Sequence, residues 1–273
     1  MKIAVTGASG FIGKAVCTVL AAAGHELVPI YLRFAADLRV LDSVAAVVHL
    51  AAIAHRRAAT AEDLRRVNVD LAERVGRAAA VVGARMIFIS SIKVHGEETN
   101  APLSERSPIA PRDAYGDSKA RAEEALRAIA GLHLTILRPP LVYGPCVKAN
   151  FLLLMKAIAR GVPLPVASVA NRRSLIFVSN LADAILRGSE SNSAGTFLVT
   201  DRPALSTPQL CREIGRALGR SARLFPFPAR WLPLKVAASL EADDGLIRRQ
   251  LGWQPQVSLE QGLRSTADWY LGR

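Results

Sequence analysis

Thr6-Gly7-Ala8-Ser9-Gly10-Phe11-Ile12-Gly13 follows the apolar run Lys2-Ile3-Ala4-Val5 and precedes a helix-forming stretch over 14–23. The order is strand, glycine-rich turn, helix. Glycines at 7, 10 and 13 let the backbone turn tightly, come close to a pyrophosphate and pack the helix on the strand. The unpaired N–H groups at the helix start, offered by Ser9, Gly10, Phe11, Ile12 and Gly13, then face the phosphates. The spacing is G-x-x-G-x-x-G, and its place between a strand and a helix is what gives it meaning.

Outward from this turn the chain alternates strands with helices. Strands are expected over 26–32, 44–50, 85–90 and 132–137, and helices over 61–82 and 115–130, where Leu64, Val67, Leu71, Val75 and Ala78 recur at intervals of three and four. Such alternation predicts an α/β fold built on a doubly wound parallel sheet, with ligands outside the carboxyl ends of its strands. The stretch between the second strand and 44–50 is too short for a full helix and strand, so one peripheral element is trimmed. Beyond Leu141 the pattern loosens into helices over 151–160, 180–189, 207–218, 246–251 and 259–270, with strands over 174–178 and 195–200 and an irregular, proline-rich 226–233. This predicts two units: 1–140 with 174–201, and a smaller C-terminal one from 141–173 with 202–273.

The residues at the strand ends carry chemistry. Tyr31-Leu32-Arg33-Phe34 ends the second strand without a carboxylate. An acid there binds a ribose 2′-hydroxyl and an arginine accommodates a 2′-phosphate, so Arg33 inclines the cofactor toward NADP and leaves NAD open. Ala51 and Ala52, small residues at the next strand end, let a cofactor lie against the backbone. Tyr115 and Lys119 stand four apart on one helix face. A phenol titrates too high to serve as a base at neutral pH, and a cation held close is expected to bring it down. Tyr115 then exchanges a proton with a substrate hydroxyl while hydride moves to or from the nicotinamide, with Lys119 on the nicotinamide ribose and Ser91 on the same substrate oxygen.

Composition bounds the rest. The chain has 273 residues, 51% of them apolar, enough for a substantial core. No apolar run is long enough to span a membrane, and no cleavable leader precedes the first strand, so a cytoplasmic protein without membrane partners is expected. Cys17, Cys146 and Cys211 are far apart and the five histidines are scattered, which suggests neither disulfides nor a metal site. The net charge of +12 is spread through pairs such as Arg56-Arg57 and Arg172-Arg173 rather than gathered into a basic tract with aromatics, so nucleic acid is not the expected partner.

With these motifs quoted, the chain resembles the extended short-chain dehydrogenase/reductases of the nucleotide-sugar epimerase/dehydratase group. The resemblance is carried by the glycine turn, His49-Leu50-Ala51-Ala52, Ser90-Ser91-Ile92-Lys93-Val94-His95-Gly96, Tyr115–Lys119, Arg138-Pro139-Pro140-Leu141-Val142-Tyr143-Gly144-Pro145, the run 173–182 and Leu251-Gly252-Trp253. It implies a Rossmann-like fold with a C-terminal substrate domain. It also implies a catalytic triad of Ser91, Tyr115 and Lys119, and an NAD or NADP cofactor. By the same resemblance Asp37 and Leu38 meet the adenine, and Leu50, Ala51, Ala52, Ser90 and Pro139 line the cofactor. Asn150 and Arg173 contact a nucleotide-sugar diphosphate, and Asn68 lies near the group's helix asparagine. The runs 90–97 and 138–151 are most similar to bacterial UDP-N-acetylhexosamine 4-epimerases and UDP-4-keto-sugar 4-reductases, which modify sugars for surface polysaccharides. The implied substrate is a UDP-sugar, and the implied assembly a homodimer through helices 61–82 and 114–130. A carbonyl reductase for a non-nucleotide substrate, or a non-catalytic dinucleotide sensor, are the alternatives. The sensor class typically loses the tyrosine or the lysine, and both are present here.

Overall fold

The computed structural model describes residues 1–30, 38–54 and 59–272. Arg33 and Asp37 lie outside the described residues. The first unit contains β1 (Lys2–Thr6), α1 (Phe11–Ala22), β2 (Glu26–Ile30) and β3 (Ala46–His49). A helical stretch follows: α2 (Ala61–Leu64), a π-helical segment (Arg65–Asp70) and α3 (Leu71–Val81). Next come β4 (Arg85–Ile89), α4 (Ala114–Arg127) and β5 (Leu134–Arg138). The second half holds β6 (Leu141–Tyr143), α5 (Ala149–Ala159), β7 (Arg173–Phe177), α6 (Val178–Glu190), β8 (Gly195–Leu198) and β9 (Asp201–Leu205). It ends with α7 (Thr207–Leu218), α8 (Leu234–Ala237), α9 (Gly245–Leu251) and α10 (Leu259–Leu271).

A six-stranded sheet in the order β2-β1-β3-β4-β5-β8 is parallel throughout. The two-residue period of its strands sorts their side chains to opposite faces. Ile3, Val5, Ile87 and Ile89 face Val16 and Leu20 of α1 and Leu181 and Ile185 of α6. Ala4, Met86 and Phe88 face Ala72, Val75 and Ala79 of α3 and Ala122 and Leu126 of α4. Both faces are covered, as a parallel sheet requires. Between β2 and β3 the described residues hold one 3₁₀ turn, Leu38–Ser43, in agreement with the trimmed connection. Leu38 packs on the same core cluster as Leu41.

A second sheet pairs β6 with β7 in parallel and β7 with β9 antiparallel. Its core gathers Tyr143, Phe151, Met155, Phe177, Ile214 and Leu263. The strand over 173–177 therefore pairs in this second sheet, whereas the sequence placed 174–201 with the first unit. Only β8 and α6 from that stretch return to the large sheet, and Ile247 and Trp253 join them in its core. Sequence periodicity shows that a strand is apolar but not which sheet receives it. Asn180 joins the parts: it donates to Asp201 Oδ1 and to Val257 O at 2.8 Å, and accepts from the backbone of Gln256 and Val257. No helix among the described residues is long and apolar enough to cross a membrane.

Candidate active site

The carboxyl ends of β1, β3, β4 and β5 lie side by side, and each carries one part of the site. At the end of β1, Gly7 takes a positive φ of 70° and passes so close to β3 that a Cβ would stand 2.9 Å from Ala51 N. A Cβ on Gly13 would meet Gly7 O at 2.2 Å, so α1 can start against the turn only with glycine there. Gly10 caps α1 without a side-chain hydrogen bond, and no acid occupies the first turn. Ser9 and Gly10 are exposed, and Phe11 and Ile12 are half-buried. The Gly10 N–H is spent on Gly7 O at 3.0 Å, closing the turn rather than facing outward as expected. The N–H groups that follow it at the helix start, with no competing carboxylate, are the local chemistry that a dinucleotide pyrophosphate needs. The described residues fit that group.

Thr6 ties this turn to β3. Its hydroxyl accepts from Leu50 N and Ala51 N at 3.1 and 3.2 Å, which leaves its one proton for His49 Nδ1 at 3.1 Å. The proton of His49 is thereby placed on Nε2, which is buried and has no partner among the described residues. Burial, and then the charge of Lys119, push His49 down to about 3, so the imidazole is neutral. Leu50, Ala51 and Ala52 are half-buried just beyond.

Ser91 and Tyr115 are brought together. Ser91 accepts from Lys93 N at 3.2 Å, and its hydroxyl stands near enough to the Tyr115 phenol to draw its pKa downward. Asp113 starts α4 by accepting from Gly116 N at 2.6 Å, and its carboxylate is held by Lys93, which also donates to Glu97 at 2.9 Å. Lys119 is buried one turn further along. Its ammonium donates to Ile89 O at 2.7 Å and lies 4.6 Å above the centre of the Phe88 ring. Burial, offset in part by Glu123, brings Lys119 down to about 7.

The expected depression of Tyr115 by Lys119 is not found in the protein alone. Burial first and Asp113 second push the phenol up to about 12, with the nearby Ser91 hydroxyl acting the other way. The lysine is turned to the Ile89 carbonyl and is itself only partly charged near neutrality. The positive charge that would bring the phenol down has to come from elsewhere in the site.

Beneath these groups lies a buried polar network that the motifs did not reveal. Glu123 of α4 accepts from Ser90 Oγ at 2.5 Å and takes two hydrogen bonds from Arg138 at 2.9 and 2.5 Å. Burial would raise its carboxyl, but the Arg138 hydrogen bonds, with those of Ser90 and the charge of Arg127, hold it below the usual range. Arg138 also donates to His95 Nε2 at 3.0 Å, and His95 Nδ1 donates to Pro108 O at 2.9 Å. The Ser90 side chain thus belongs to this support. Pro139 is buried and accepts from Ile92 N at 3.0 Å, fixing the loop after β4 to the end of β5.

Asn68, which the resemblance singled out without a contact, is a second support. Buried in the π-helical segment, it accepts from Ile53 N at 2.7 Å and donates to Ile53 O at 3.1 Å and to Ser118 Oγ at 2.9 Å. It clamps the chain after Ala52 to the helix that carries Tyr115 and Lys119. π-bulges often mark such positions, and the sequence signal was one asparagine within an apolar helix.

The substrate-side residues divide. Arg173, at the start of β7, donates to Ala238 O at 2.9 Å. Burial lowers it and the charge of Glu97 opposes that, which puts it electrostatically next to the Lys93–Glu97–Asp113 chain leading to Tyr115. Asn150 is exposed in the first turn of α5 and takes no part in that chain.

A glycine turn for a pyrophosphate, backed by Ser, Tyr and Lys at adjoining strand ends, defines a dinucleotide-dependent enzyme of the extended short-chain dehydrogenase/reductase class. Residues 3–198 match the NAD dependent epimerase/dehydratase family, and the chain belongs to it. It is 33% identical to a UDP-glucose 4-epimerase of Vibrio cholerae over 99% of this chain and 95% of that one. It is 30% identical to a ceramide reductase of Caulobacter vibrioides over 98% of this chain and 94% of that one. Among solved structures, a UDP-glucuronic acid 4-epimerase from Bacillus cereus in complex with NAD superposes with a TM-score of 0.84, at 22% identity, over 100% of this chain and 99% of that one.

Proposed function

We propose that the protein interconverts or reduces a UDP-sugar at C4, as a UDP-glucose or UDP-N-acetylhexosamine 4-epimerase or a 4-ketoreductase. The observation that carries this reading is Ser91 beside the Tyr115 phenol, with buried Lys119 one helical turn along, at the strand ends that the glycine turn shares. The likeness to the Vibrio cholerae epimerase along nearly the whole chain supports it.

In this reading the turn Gly7–Gly13 holds the pyrophosphate of NAD or NADP, with Leu50, Ala51, Ala52 and Pro139 along the cofactor. When bound, the nicotinamide supplies the hydride acceptor and donor, and its oxidised form supplies positive charge. Ser91 holds the substrate oxygen at C4. Tyr115 takes the proton of that hydroxyl and returns it when the ketone is reduced. Lys119, anchored on Ile89 O, sets the ribose side of the site. Arg173 faces the sugar-nucleotide diphosphate, for which a guanidinium is suited by its paired donors. Asn150 is a second diphosphate contact and Asn68 a positioning residue. Arg33 would decide between NAD and NADP. The assembly is a homodimer through 61–82 and 114–130, where Val81 stands exposed on α3.

The test is purified protein with UDP-glucose or UDP-N-acetylglucosamine and no added cofactor, followed by NMR of the sugar. Inversion at C4 supports an epimerase that retains its dinucleotide. Strict dependence on added NADPH, with a 4-keto UDP-sugar as substrate, supports a reductase. A second reading, a carbonyl reductase for a non-nucleotide substrate, is favoured by the likeness to the Caulobacter ceramide reductase. Turnover of a lipid-like or small ketone, with no UDP-sugar turned over, would establish it and sink the first.

A further inference from the structure

Between Glu213 and Glu241 the chain carries no acidic residue, and its segment 223–236 reads Arg-Leu-Phe-Pro-Phe-Pro-Ala-Arg-Trp-Leu-Pro-Leu-Lys-Val. The structure sorts this stretch into an inner and an outer set. Leu224, Leu232 and Val236 turn inward onto the core of the second sheet. Phe225, Phe227, Trp231 and Leu234 turn outward, with 42%, 37%, 70% and 53% of their surface exposed. Four large apolar side chains within ten positions, three of them aromatic, stand outward and are left exposed by the described residues.

The backbone that presents them is stiff. Pro226, Pro228 and Pro233 fix their own φ angles. Phe225 is paired on both sides, its N to Leu164 O at 3.0 Å and its O to Ala167 N at 3.1 Å. Trp231 N bonds Pro228 O and Val236 N bonds Pro233 O. The aromatics are therefore held outward in advance, with no refolding needed to expose them.

Charge narrows what can cover this face. Arg220, Arg223, Arg230 and Lys235 are exposed around it, and none has a carboxylate partner among the described residues. Among the described residues, unpaired exposed arginines also occur elsewhere, as at Arg74, Arg106 and Arg249, but here four unpaired cations stand within sixteen positions that hold no acid. Arg230 instead lies 5.9 Å from the Trp231 ring. Tryptophan and phenylalanine beside unpaired arginine and lysine are the residues that settle at the boundary between anionic headgroups and acyl chains.

We infer that the outer face of segment 220–235 is a peripheral docking surface for an anionic lipid bilayer. Phe225, Phe227, Trp231 and Leu234 enter the interface, and Arg220, Arg223, Arg230 and Lys235 meet the headgroups. The absence of a membrane-spanning helix among the described residues is consistent with docking on the surface rather than through it. The site of docking is continuous with the functional one. Past α8 the chain runs along 171–174, where Asn171 donates to Val236 O and Ala238 O, and Arg173 donates to the same Ala238 O. The inference does not depend on which substrate the active site takes.

Flotation of the full-length protein with vesicles tests it. One set is phosphatidylcholine alone and the other contains about one-third phosphatidylglycerol. The wild type is expected to float with the anionic vesicles at low salt, less so at high salt, and poorly with phosphatidylcholine alone. Each cation at an anionic surface raises binding about fivefold, so Arg223→Ser with Arg230→Ser should weaken binding about 25-fold. Phe227→Ser with Trp231→Ser should weaken it about tenfold or more. Unchanged thermal midpoints would show that both variants are folded. Wild type that stays unbound with either vesicle, or variants that float as well as wild type, would overturn the inference. So would a fall in the protein's oligomeric mass in solution caused by the Phe227/Trp231 variant, since the face would then be covered by a second copy of the chain.

Discussion

Replacing Lys119 by methionine removes a charge that the fold buries at a cost, and the cost can be worked from the structure. The ammonium is almost fully enclosed and its pKa falls from 10.5 to about 7. At 1.36 kcal/mol per unit, the burial penalty at neutral pH is on the order of 4 kcal/mol. The unfolded chain keeps the proton up to 10.5, whereas the folded chain keeps it only to about 7. Between those values unfolding takes up a proton, so raising the pH through that window stabilises the folded state. From about pH 7 to about pH 9 the wild type should gain roughly 2 kcal/mol over Lys119→Met, while between about pH 5 and pH 6 the difference should be nearly constant. The variant also loses the hydrogen bond to Ile89 O and the contact with Phe88, worth about 1–3 kcal/mol each. These offset the penalty in the absolute difference, so the pH slope is the quantity to read. Urea unfolding of both proteins across the range measures it, with other titrations cancelling in the comparison. A difference that does not change between about pH 7 and pH 9 would refute the reasoning.

Other expectations follow from particular contacts. Tyr115→Phe removes the proposed proton carrier and leaves the packing, so turnover should fall by about 10²–10⁴ with an unchanged unfolding midpoint, read by steady-state kinetics and thermal melts. Gly13→Ala puts a methyl group 2.2 Å from Gly7 O. Helix α1 must shift off the turn, and dinucleotide titration by calorimetry should show affinity reduced about tenfold or more. Asn68→Ala strips both hydrogen bonds from the Ile53 backbone and one from Ser118, and chemical denaturation should show a loss of about 2–3 kcal/mol. Glu123→Gln leaves buried Arg138 without its counter-charge, and the same assay should show a loss of about 3 kcal/mol or more.

The turn at Gly7–Gly13 and the Tyr115–Lys119 pair were legible because both are local. A tight strand–helix turn must draw on residues a few positions apart, and one helical turn must place i and i+4 on one face. The parallel sheet was legible for a related reason, since its strands are buried on both faces and read as apolar runs. The network beneath the site was not. Glu123 and Arg138 are 15 positions apart, and each alone resembles any surface charge until the fold seals both from water. Asn68 was marked only by the resemblance, and its clamp on Ile53 and Ser118 shows only in the fold.

The sequence by itself therefore determined the order of elements, the strand–glycine turn–helix at Gly7–Gly13 and the helical spacing of Tyr115 and Lys119. Only the tertiary structure decided that β7 pairs in the second sheet, that Lys119 points at Ile89 O and Tyr115 remains high without a further cation, and that the aromatics of 225–234 face outward among unpaired cations. Those outcomes depend on long-range pairing and on desolvation. Both are properties of what surrounds a residue in space, and neither is written in its neighbours along the chain.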